Sequence, residues 1–85
     1  MRELELELKK LIVTTLALED IRPEEIDSEE LLFGEGLGLD SIDALELGVA
    51  LRQTYGIRIE SVTAEVREHF ATVASLARFV AASRE

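Results

Sequence analysis

Ser41 is the one residue in this chain whose neighbours suggest covalent chemistry. It stands between Asp40 and Asp43, behind a run holding Gly34, Gly36 and Gly38, and ahead of the apolar-rich stretch that starts at Ile42. A hydroxyl at the start of a helix can do two things. It can accept a hydrogen bond from an unpaired backbone amide, which is ordinary N-capping and the plain explanation of such a serine taken alone. It can also carry a phosphate-linked group, because unpaired amides at a helix start favour negative charge nearby. Asp40 and Asp43 oppose that field. Nucleophilic catalysis with the sole histidine, His69, is conceivable from residue types only: His69 lies in another helical segment, and the flanks of Ser41 are not those of a nucleophile elbow. His69 reads as a surface or helix-end residue. Gly36-x-Gly38 is not a dinucleotide fingerprint, since position 41 is Ser and no strand precedes it. The carboxylates from Asp27 to Asp40 do not follow calcium-loop spacing, so no metal site is expected there. There is no cysteine, which removes disulfides, thiolate metal sites and Cys nucleophiles.

The elements that must hold Ser41 are helical. The chain has 85 residues, enough for one domain over residues 1–85 but not for an enclosed active site. Hydrophobic residues make up 47%, far too many for a disordered tail. Leu4, Leu8, Leu11, Ile12 and Leu16 form one stripe, which predicts a helix from about Arg2 to Leu18. Pro23 is expected to end that region. Residues 19–40 read as a long connection pinned by Ile21, Ile26, Leu31, Leu32 and Phe33, with a short helical turn near Ser28 to Leu32. A second helix is expected from Ser41 or Ile42 to about Tyr55, capped by Asp40 or Ser41 and stopped by Gly56. After a link from Ile57 to Glu60 come a brief helix at Thr63 to Glu68 and a last one capped by Thr72. In that helix Val73, Leu76, Ala77 and Val80 fall on one face. The fold class is therefore all-α: an antiparallel bundle of three main helices plus one short helix.

Net charge is −9, and it is unevenly placed. Residues 1–18 balance, as do residues 56–85, so the whole excess lies between Glu19 and Tyr55. Such a face repels nucleic acid and anionic lipid and steers basic partners inward. No apolar stretch reaches the ~20 residues of a membrane span, and the N-terminus has no signal-peptide pattern. The expected setting is cytoplasmic, without membrane insertion, and the expected state is a monomer.

The second helix carries two apolar stripes. Ala44, Leu47, Gly48, Leu51 and Tyr55 make one, which suffices to dock the helix on a core. Ile42, Leu45 and Val49 make the other, interleaved with Asp43 and Glu46. An apolar line fringed by carboxylates offers contact area and orientation to a protein partner. The alternative is that flanking helices bury both stripes. Gly48, inside the helix, costs roughly 1 kcal/mol relative to alanine; close helix approach explains it, and the other reading is that the missing side chain opens room among the helices for a bound chain.

The run Gly38-Leu39-Asp40-Ser41-Ile42-Asp43-Ala44-Leu45-Glu46-Leu47 resembles the modification-site signature of acyl carrier proteins. The resemblance spans nearly the whole chain, taking in the acidic loop with its apolar pins, Tyr55-Gly56-Ile57, and Thr72-Val73 with Leu76 and Phe79-Val80. It implies a non-catalytic carrier whose Ser41 hydroxyl attacks the pyrophosphate of coenzyme A, under a Mg²⁺-dependent phosphopantetheinyl transferase. Ser41 then bears a covalent 4'-phosphopantetheine arm, and its thiol holds acyl groups as thioesters for fatty-acid, polyketide or related biosynthesis. The resemblance also assigns partner recognition to the helix after the serine: Asp40, Asp43 and Glu46 pair with basic patches on acyl-transferring and chain-elongating enzymes, while Ile42, Leu45 and Val49 make apolar contact. The later half of the helix holds Gly48, Arg52 and Gln53, where general fatty-acid carriers keep denser carboxylates. This departure points to a freestanding bacterial carrier of a specialised pathway. Two other readings stay open, an unmodified helical adaptor and an aminoacyl or peptidyl carrier of nonribosomal assembly.

Overall fold

The computed structural model describes residues 2–33, 36, 38–58 and 64–83, and for Ser41, Ala64 and Glu65 the backbone alone. It is a small all-α bundle: α1 (Arg2–Thr15), α2 (Ser41–Tyr55), the short α3 (Ala64–His69) and α4 (Val73–Ser83). Gly34, Glu60 and Thr63, which the sequence reading placed in a turn, a link and a helix start, lie outside the described residues.

Apolar periodicity builds the core as expected. Leu8 and Ile12 of α1, Leu47 and Leu51 of α2, and Val73, Leu76, Ala77 and Val80 of α4 are all fully buried. Ile26, Leu32 and Leu39 join them from the long connection, and Ile57 and Phe70 from the links around α3, whereas Leu31, expected to pin the loop, is exposed. Each fully buried Leu or Ile contributes about 1.5–3 kcal/mol by leaving water. Gly48 is half-buried on the core stripe of α2. At the far end of α2 the Tyr55 hydroxyl donates to Glu7 Oε1 of α1 at 3.2 Å.

Three local details differ from the periodicity reading. First, α1 stops at Thr15, not Leu18, and Pro23 is not the cause. Ala17 adopts the left-handed region (φ 51°), its N–H donating to the Thr14 carbonyl and the Leu18 N–H to that of Val13. This is a Schellman stop with alanine where glycine is usual. Pro23 instead opens a single 3₁₀ turn, Pro23–Glu25, where its fixed φ and missing N–H cost nothing. Second, no helix forms at Ser28 to Leu32. Asp27 makes only a turn with Glu30 and accepts the Glu29 N–H, and the chain then runs extended. Third, α3 ends at His69, one residue beyond the expected Glu68.

The extended part of the connection is fastened to the start of α4. Ser28 accepts the Ala74 N–H at 2.9 Å, Ala71 accepts the Leu32 N–H at 2.8 Å, and Leu31 forms an antiparallel bridge with Thr72. It then pairs with the approach to α2: the Leu39 N–H donates to the Leu32 carbonyl at 3.1 Å, and Phe33 bridges Leu39 in parallel. A side chain at Gly36 would run into the Leu31 carbonyl, so this crossing needs glycine. By these bonds the backbone entering Ser41 is tied through the loop to α4.

Candidate functional site

Gly38, with φ 75°, turns the chain into the site, a conformation that glycine alone adopts freely. Leu39 then anchors it in the core, and Asp40 leaves the core again with extended backbone (φ −117°, ψ −174°). Asp40 Oδ1 accepts the N–H groups of Ile42 and Asp43, each at 3.0 Å. Asp43 Oδ2 in turn accepts the Asp40 N–H at 3.0 Å. This reciprocal capping box closes the first turn of α2 and decides between the two expected caps. Asp40 is the cap, and Ser41 is the first helical residue. The duty that most often explains a serine at a helix start is filled by its neighbour.

The amides of Ile42 and Asp43 are thus engaged by a carboxylate already inside the chain. They form no empty cradle for an anion, and the favourable field expected at this helix start is largely spent on Asp40. Asp40 and Ile42, on either side of Ser41, are both exposed. Among the described residues no cluster of His, Cys, Asp or Glu could hold a metal ion.

Along α2 the two stripes part company. Leu47 and Leu51 have no exposure, whereas Ile42 is 67% exposed, Leu45 64% and Val49 50%. Glu46 is exposed beside them, and Asp43 is half-buried because its carboxylate turns back to the cap. The alternative in which flanking helices bury both stripes therefore fails. Asp43, expected only as a docking charge, has a second function as the reciprocal member of the box. The spacing Asp-x-x-Asp before an apolar run was the available signal. Ala50, buried at 9% exposure, was also missed because it falls between the two stripes on the wheel.

His69 ends α3 far along the chain from this group and is half-buried. Its ring stacks on Phe79 of α4 with centroids 4.5 Å apart and planes 18° from parallel. Its carbonyl accepts the Ser75 hydroxyl at 2.9 Å. These contacts occupy it in the α3–α4 corner as a structural residue.

Comparison with known proteins agrees with this geometry. Residues 7–80 match the family model described as a phosphopantetheine attachment site. The chain is also 36% identical over 74 residues to an acyl carrier protein of Wolinella succinogenes, covering 87% of this chain and 88% of that one. No helix among the described residues is long and apolar enough to cross a membrane. A fold of this size, a serine placed just past an acidic cap and both matches lead to one family: the chain belongs to the acyl carrier proteins, which carry covalent 4'-phosphopantetheine.

Proposed function

We propose that Ser41 is the residue that bears the arm, and that the exposed face of α2 presents the loaded chain to partner enzymes. The observation that carries this reading is the cap. Because Asp40 takes the helix-start amides, the fold has no need of a hydroxyl at position 41 for capping. Chemistry remains as the reason for a serine there. When attached, the arm supplies a thiol on which acyl groups travel as thioesters. The chain's own part is tethering, which raises the effective concentration of the cargo at each partner.

Asp40, Asp43 and Glu46 supply negative charge around the attachment residue, while Ile42, Leu45 and Val49 supply apolar area that the core does not use. A phosphopantetheinyl transferase and acyl-transferring or chain-elongating enzymes with basic patches fit that combination. The exposed Arg52 and Gln53 in the last turns of α2 favour a carrier of a specialised acyl pathway over the general fatty-acid carrier. Residues 1–85 form one carrier domain in this reading.

Incubation with a broad-specificity phosphopantetheinyl transferase and coenzyme A tests it. The intact mass rises by one phosphopantetheine in the wild-type chain and not in Ser41→Ala. No rise in the wild type, or a rise that persists in the variant, refutes the assignment.

A further inference from the structure

We propose that Leu31 is a second docking element, carrying the apolar surface of α2 onto the long connection, where it meets a partner enzyme presenting an apolar contact edged by Lys or Arg. The proposal rests on Ser41 being the attachment residue. Five large apolar side chains are exposed among the described residues: Leu6, Leu31, Ile42, Leu45 and Val49. Leu6 stands on α1, within the charge-balanced first part of the chain. The other four all lie in the segment that holds the whole net charge, and three of them line α2. Leu31 is the fourth, at 53% exposure, and nothing in helix packing accounts for it.

Its backbone is held firmly. Leu31 bridges Thr72, Leu32 next to it is bonded to Ala71 and fully buried, and the missing side chain of Gly36 lets the chain cross against the Leu31 carbonyl. The loop thus points Leu32 into the core and its neighbour into water, in strand-like alternation. A polar residue at position 31 would serve the fold equally well.

The same segment runs beside the approach to the site, because Leu32 and Phe33 pair with Leu39, two residues before Ser41. One interchain spacing and three Cα steps put Leu31 within about 16 Å of Ser41. An ordinary interface of about 800 Å² per partner, roughly 30 Å across, covers that span. Glu29 and Glu30, both exposed, directly precede Leu31. They repeat on the loop the pattern of α2, an apolar contact beside carboxylates. That charge selects a basic-rimmed protein over nucleic acid, an anionic membrane or a second acidic copy of this chain.

The test uses the full chain as substrate of a broad-specificity phosphopantetheinyl transferase with coenzyme A. Leu31→Ser raises KM about fivefold, the worth of burying half a leucine side chain, and leaves kcat within about twofold. Its melting temperature stays at the wild-type value. Leu31→Ala, which keeps an aliphatic stub, shows the same rise in KM should the serine variant melt early. Leu6→Ser, the exposed apolar control on α1, changes neither constant. An unchanged KM in both Leu31 variants overturns the proposal, as does an equal rise in Leu6→Ser. Concentration-dependent sedimentation of the wild type that Leu31→Ser abolishes also overturns it, since the occupant would then be a second copy. Failure of the underlying reading shows separately, as a wild-type chain that takes up no arm.

Discussion

Both α2 and α4 begin with a reciprocal cap, Asp40 with Asp43 in one and Thr72 with Ser75 in the other. At α4 the cap is uncharged and half-buried. Thr72 Oγ1 accepts the Ser75 N–H at 3.0 Å, Ser75 Oγ accepts the Thr72 N–H at 3.0 Å, and the Ser75 hydroxyl closes onto the His69 carbonyl. The first helical residue is Val73, with no exposure. At α2 the cap is a carboxylate pair, the first helical residue is Ser41, and Ile42 after it is 67% exposed. Hydrogen bonding alone does not require the charge, because hydroxyls do the same work at α4. The carboxylates of α2 therefore exceed what the fold needs, and so does the apolar area beside them. A start serving only the fold turns inward, whereas this one faces water with charge and contact area to spare.

The largest effect separates the two helices by their faces. Leu76→Ala in α4 empties a fully buried site and costs about 2–5 kcal/mol, enough to unfold a marginal domain of this size near room temperature. Leu45→Ala in α2 removes the same side chain from an exposed site and changes stability by less than about 0.5 kcal/mol. Urea melts of the two variants check this. A Leu45→Ala loss approaching that of Leu76→Ala would show that the outer stripe of α2 belongs to the core.

The caps give the next effect. Thr72→Ala removes the acceptor of the Ser75 N–H and costs about 1–2 kcal/mol. Asp40→Ala strips two amides of their partner and costs about 1 kcal/mol. Asp40→Asn keeps an acceptor of equal capping rank, so its melt stays close to wild type. If Asp40 acted only as a cap, Asn would also restore wild-type kinetics with the transferase. A carboxylate cap in excess of what the fold needs gives instead a higher KM in Asp40→Asn, from lost charge, with stability intact.

These contrasts also show which parts of the molecule were legible in sequence. Stripes such as Val73, Leu76, Ala77 and Val80 were readable because burial of a helix face follows directly from a 3.6-residue period. The family was readable because the residue types and order from Gly38 to Leu47 coincide with its signature. Helix ends were harder. Ala17 stops α1 in a left-handed conformation that alanine rarely adopts, so no residue-type rule marks it, and the nearby Pro23 draws attention to the wrong place. The loop was harder still. Its path is set by bonds from Ser28, Leu32 and Leu31 to residues some forty positions away, and local propensity carries no record of such partners. The exposure of Leu31 depends on that path and could not be told from the burial of Leu32 next to it.

The smallest effect on stability is the most diagnostic of the comparison, because its two consequences have opposite signs. Glu46 is exposed on the outer face of α2, three residues after Asp43, so the two carboxylates are neighbours on the helix surface. Like charges at that spacing cost about 0.2–0.5 kcal/mol, and Glu46 lies beyond the first turn, where the helix dipole would repay a carboxylate. Glu46→Gln therefore leaves the melt unchanged or raises it slightly. The same change removes a charge from the face proposed to steer basic partners, so on that proposal KM for the transferase rises at low salt. Raising ionic strength toward 1 M shrinks the screening length to about 3 Å and brings wild type and variant together. A residue kept for the fold would behave in the opposite way, melting earlier when replaced and showing a kinetic defect that salt does not erase.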